Sequence, residues 1–320
     1  MKRYSKLLGT IAVSGLLILT NASMANAENN QDKNEQKEIE RNIYVEGADL
    51  NEEQAEETKK DLDVKDDFKE YEISTSDVSR YTGGQYNTIY SSATITPKKF
   101  GKGVDVEITT PENITRITEA QYINACITSG IENAKIKVAS VEEVTGEGAL
   151  TGIYKALEEE GIEVNKEDVQ KANDEMDNLA SINDEQKNQG NDVNEPLNNA
   201  VADMKEQVAN DKIDGKNLSE QDIQKIVDDT LKSKNLNDVL SDDQKNKIVV
   251  IINNASKSDA MNNNPESIKK QANKLKDGLS DKLKDINNEN DGALQNIWNK
   301  FVSFLQNLLQ SIIDFFKNLF

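Results

Sequence analysis

The chain has 320 residues, with 38 basic against 58 acidic side chains, a formal net charge of −20, one cysteine and no histidine. The missing imidazole excludes Ser-His and Cys-His nucleophile pairs and His-ligated zinc, and the lone Cys126 excludes an intramolecular disulfide. The acidic balance repels polyphosphate at long range, so no nucleic-acid partner is expected.

Lys2, Arg3 and Lys6 form a positive start, residues 7–20 an apolar run, and Ala25-Asn26-Ala27 a small-residue cleavage site. The run is too short for a hydrocarbon core that needs roughly 20 residues. Residues 1–27 therefore read as a cleaved signal peptide. Cleavage would remove three basic side chains and no acidic ones, taking the formal charge from −20 to −23. Residues 28–41 are polar and read as a disordered leader. With 30% charged and only 5% aromatic residues, a compact domain followed by a looser helical region is expected, rather than one large globule.

Order is expected to begin at Asn42-Ile43-Tyr44-Val45, a short strand, followed by a helix capped by Asn51 with acidic residues in its first turn. Residues 71–75, 88–96 and 104–109 carry further strand signals. The last two are joined by Pro97-Lys98-Lys99-Phe100-Gly101-Lys102-Gly103, read as a hairpin connection. Thr118 and Gln121 form a capping box opening a helix that Gly130 stops. Residues 135–141 read as a strand, and 148–160 as an amphipathic helix bearing Leu150, Ile153, Tyr154 and Leu157. The fold class is α+β: a small α/β sandwich over 42–161, then a mainly helical region over 162–290.

In that helical region Ser219 and Asp222 open one helix, and Ser241 and Gln244 another, expected to pack as a helical hairpin. Residues 180–196 are so polar that no packed structure is expected there. Pro265 starts a Lys-rich helix with Ile268, Leu275, Leu279, Leu283 and Ile286 on one stripe.

The strongest periodicity is at 293–320. Leu294, Trp298, Phe301, Leu305, Leu308, Ile312, Phe315 and Leu319 recur in alternating steps of four and three. Ile297, Val302, Phe304, Leu309, Ile313, Phe316 and Phe320 widen the stripe. A helix of this length is roughly 40 Å long. Polar residues recur in every turn, so it does not read as a lone membrane span. Its apolar face is too wide to remain in water. The expected occupant is a membrane surface or a protein partner, with self-association and internal packing as the alternatives.

Other motifs read blandly. Asn210-Asp211-Lys212-Ile213-Asp214-Gly215 only briefly resembles a calcium loop. Lys212 stands where a ligand is needed and Gln221 falls at the twelfth position, so specific calcium binding is not expected. Cys126 reads as a small core residue, and Thr82-Gly83-Gly84 and Gly146-Glu147-Gly148 as turns. Ser79-Arg80-Tyr81 is a weak binding-site candidate. No metal, cofactor or catalytic residue is assigned.

Several segments together carry a family resemblance: Gly47-Ala48-Asp49-Leu50, residues 86–96 ending in SSATIT, residues 117–125, Asn133-Ala134-Lys135-Ile136-Lys137-Val138, and residues 145–152. In these the chain resembles the DUF1002 family, closely over 42–160 and more loosely beyond. The resemblance implies export and a place at the Gram-positive cell envelope, and brings no established activity or cofactor. The resulting expectation is a secreted or envelope-associated, noncatalytic protein whose segment 293–320 mediates association. The alternatives are a secreted membrane-perturbing effector, or an envelope enzyme using carboxylates or a Ser/Lys pair.

Overall fold

The computed structural model describes residues 39–99 and 103–289. The expected signal peptide, most of the leader and the whole of 293–320 lie outside the described residues.

The strands are β1 (Ile43–Gly47), β2 (Lys69–Ile73), β3 (Ser92–Pro97), β4 (Asp105–Ile108) and β5 (Ala134–Ala139). Among them run α1 (Glu52–Asp61), α2 (Thr75–Thr82) and α3 (Glu119–Ser129), with α4 (Glu147–Glu159) after the last strand. The helical part follows: α5 (Lys166–Lys187), α6 (Asn194–Ile213), α7 (Glu220–Ser233), α8 (Asp242–Ser256), α9 (Asp259–Asn263) and α10 (Pro265–Glu289). This is an α+β fold, with a mixed five-stranded sheet in the order β2-β1-β3-β5-β4.

β1 shows how the strand period makes the layers. Ile43 and Val45 point into the main core, while Tyr44 packs with Leu62 and Ala139 on the opposite face. That opposite face is finished by polar pairs, including Lys59–Glu70 at 2.8 Å and Lys137–Asp63 at 2.5 Å. On the core face α4 crosses β1, β2 and β3, and α3 reaches β4. Gly152 lets α4 approach: a Cβ there would stand 2.8 Å from Val45 Cγ1 and 3.3 Å from Ile73 Cγ2.

The strands around 97–103 do not form the expected hairpin. β5 lies between β3 and β4, antiparallel to β3 and parallel to β4. The burial of each strand explains the placement. β5 buries Ala134, Ile136 and Val138, so it takes an interior position, whereas β4 carries Asp105 and an exposed Glu107, which suit an edge. α2 is not among the expected helices, although its two ends carry local signals. It is opened by a Ser74–Asp77 capping box and stopped by Gly83 at φ 72°.

Residues 180–196 are packed, against expectation. α5 sends Val169, Ala172 and Met176 into the sheet core, and Leu179 and Ile182 into a second core between the helices. The polar residues there are buried because they are bonded. Gln186 donates to Val239 O at 3.1 Å and to Gln244 Oε1 at 2.7 Å. α6 lies along α10, and α7 packs on α8 as the expected hairpin. No described helix is long and apolar enough to cross a membrane.

Candidate functional site

A cleft of about 680 Å³ opens where the sheet edge meets the helical part. Edge strand β4 supplies Val106 and Ile108, and the segment after it supplies Pro111, Ile114 and Ile117. The N-cap and first two turns of α3 add Thr118, Glu119, Ala120 and Ile123, and the start of α6 adds Asn194 and Glu195. The far wall is one stripe of α10: Gln271, Lys274, Leu275, Gly278, Leu279 and Lys282. These positions fall at steps of three and four, so a single helix face looks into the cleft.

The walls are apolar and the rim is charged. Lys274 bonds Asp105 across the cleft, and Lys98 holds the same carboxylate at 2.5 Å. Burial pushes the Asp105 carboxyl up, but the two ammonium groups outweigh this and hold it below its ordinary range. Lys282 pairs with Glu119 at 3.3 Å, and the other oxygen of Glu119 accepts from the Ile108 N–H at 3.2 Å. Asp105 and Glu119 are thus tied to lysines of α10, while Glu195 at the start of α6 is a third carboxylate of the lining.

Gln271 is only 3% exposed, yet among the described residues neither its amide nitrogen nor its oxygen finds a partner. In α10, Gly278 has nothing among the described residues within 4 Å of an added Cβ. A mid-helix glycine sacrifices about 1 kcal/mol of helix propensity, and here it leaves the helix wall bare.

Behind the cleft runs a buried polar layer. Thr118 Oγ1 meets Asn194 Oδ1 at 3.2 Å, Asn198 donates to Asn194, and Asn124 donates to Asn198 Oδ1 at 3.0 Å. Lys205 of α6 donates to Asn124 O at 2.7 Å and to Glu175 Oε1 at 2.6 Å. Thr128 donates to the other Glu175 oxygen at 2.6 Å. Burial raises the Glu175 carboxyl and lowers the Lys205 ammonium, and their contact opposes both shifts. This layer joins α3, α5 and α6. Sequence spacing gave no sign of it, because Lys205 and Glu175 sit on polar helices like any surface charge.

Of the sequence candidates, none of the thirteen stripe residues from Ile297 to Phe320 lies among the described residues. Cys126 is buried, and burial pushes its thiol up to about 12, which removes the thiolate a nucleophile requires. Tyr81 donates to Glu158 at 2.5 Å, and Arg80 pairs with Glu158 at 3.6 Å, so that pair clamps α2 to α4. Asp211 of the failed calcium loop is bonded to Lys216 at 2.5 Å. No group of three potential metal ligands forms among the described residues.

The model of the family described as "Protein of unknown function (DUF1002)" matches residues 46–275. The chain belongs to the DUF1002 family. It is also similar to the uncharacterized protein YpuA of Bacillus subtilis (strain 168), at 31% identity over 273 residues, covering 82% of this chain and 88% of the relative. No solved structure matches. The DUF1002 match takes in the sheet apart from the first three residues of β1, the buried polar layer and the cleft as far as Leu275, and stops before Gly278 and the terminal stripe.

Proposed function

We propose that this DUF1002 protein is exported to the cell envelope and acts by attachment rather than catalysis, with residues 293–320 attaching to a membrane surface. The carrying observation is the unbroken apolar stripe from Leu294 to Leu319. Removing some 15 apolar side chains from water, at ~1.5–3 kcal/mol each, is a driving force of tens of kcal/mol. The described body offers no comparable surface. Its only large exposed hydrophobics among the described residues are Ile213 and Val250.

The charged residues of 293–320 are Lys300, Asp314 and Lys317, two positive and one negative. Attachment therefore rests on apolar burial, with little attraction to anionic lipid. Export rests on the basic start, the short apolar run and Ala25-Asn26-Ala27.

The test is co-sedimentation of the chain from residue 28 with phosphatidylcholine vesicles, beside a Leu305→Glu/Leu308→Glu variant. Loss of binding in the variant, with the parent's binding little changed by salt, supports attachment. Equal sedimentation of the two sinks it.

A further inference from the structure

We propose that the cleft along α10 is the seat of this chain's own terminal segment, 293–320, when no membrane is present. The inference goes beyond the attachment reading and does not depend on it.

Three observations converge. First, the cleft follows α10 from Gln271 to Lys282, and α10 is described to Glu289, directly before the segment in question. Asn290-Asp291-Gly292 between them is a turn-forming break. Second, the distances match. Lys282 lies seven residues, about 10 Å, before Glu289, and Gln271 lies about 27 Å before it. The proposed seating, as a helix reversing at Asp291, would bring roughly residues 300–311 past the cleft. That window carries Phe301, Phe304, Leu305, Leu308 and Leu309, an apolar face for apolar walls. Third, Gly278 sits in the middle of the α10 wall, and among the described residues nothing lies within 4 Å of where its side chain would be. A small residue there lets a second helix approach closely, and simple reversal places Phe304 opposite it.

The rim fits the same occupant. Lys274 and Lys282 are already paired with Asp105 and Glu119, so a nearly uncharged segment meets no unpaired lysine there, and Glu195 is the one further carboxylate of the lining. The segment then has two seats, this cleft and a membrane, which compete for one apolar face.

Trp298 is the chain's only tryptophan and stands one step before Phe301 on the same stripe, at the mouth of the proposed seat, so emission excited beyond the tyrosine band reports the seating of this segment. The experiment compares the chain from residue 28, without lipid and as a verified monomer, with its Gly278→Phe variant. Val250→Phe, on a 53% exposed position outside the cleft, is the control. The expected result is a blue-shifted Trp298, poorly quenched by acrylamide, in the parent and control. Gly278→Phe should shift the emission red and raise quenching several-fold, with the circular dichroism of the body retained. In a second arm, Gly278→Cys with Phe304→Cys should form a disulfide within one chain, the buried Cys126 staying out of the reaction. A water-exposed Trp298 in the parent, protection unmoved by Gly278→Phe, or a disulfide formed only between two chains would each overturn the proposal. Protection without any vesicle binding would leave docking intact and reject attachment.

Discussion

Lys205→Met removes the ammonium that satisfies both Glu175 Oε1 and the Asn124 carbonyl, at 2.6 and 2.7 Å. The two charged side chains are 0% and 1% exposed, so water cannot replace the lost partner. Glu175 keeps only the Thr128 hydroxyl. Breaking a buried pair in this way costs about 3–5 kcal/mol, against total stabilities of roughly 5–15 kcal/mol. At ~2–4 °C per kcal/mol for a body of this size, the midpoint of thermal unfolding should fall by about 6–20 °C. The second variant in the cycle is Lys205→Met/Glu175→Met, which also removes the stranded carboxylate. It should recover at least half the loss, because well-packed apolar replacement of such a pair is often neutral. Urea unfolding at neutral pH, followed by circular dichroism, measures both. Lys205→Met within about 1 kcal/mol of the parent, or a double variant no more stable than Lys205→Met, would show that the pair is not a dry, mutually dependent unit.

Three further outcomes follow from the sheet side. Gly152→Val should destabilise by about 1–3 kcal/mol through overpacking against Val45 and Ile73, measured by the same unfolding assay. Burial pushes the Asp77 carboxyl up, but the bond from Lys155 at 2.8 Å and those from Ser74 outweigh it, so its pKa lies below the ordinary 3.8. A lowered carboxyl contributes stability that is complete above 3.8 and lost as pH falls through the folded pKa. Asp77→Asn should therefore flatten the acid limb of the stability–pH curve below about pH 4, and an unchanged limb would contradict this. The Cys126 thiol, buried and raised to about 12, should resist a disulfide reagent at pH 8 in the native chain and react fully in denaturant.

Local chemistry was the legible part of the fold. Asn51, Thr118, Ser219 and Ser241 each cap a helix with its third residue bonding back, and Gly130 stops α3 in the left-handed conformation. These signals need only four or five neighbouring residues. Strand order was not legible. A glycine-rich connection between two strands looks the same whether they pair directly or a distant strand enters between them, as β5 does. The packing of α5 and α6 was hidden because Asn183, Gln186 and Asn198 are buried polar residues, which periodicity counts as surface. The cleft was half visible. The α10 stripe through Leu275 and Leu279 was evident, but the walls from β4 and α3 are contributed by residues some 150–170 positions earlier in the chain. Gly278 carried a usable signal, a glycine set beside the apolar stripe of an otherwise strong helix.

The most direct test of attachment is quenching of Trp298 by vesicles whose lipid acyl chains carry bromine, which act only at contact range. Seating of 293–320 in the interface predicts strong Trp298 quenching by the brominated vesicles, and its loss in Leu305→Glu/Leu308→Glu. Trp298 emission identical with brominated, plain and no vesicles would contradict it.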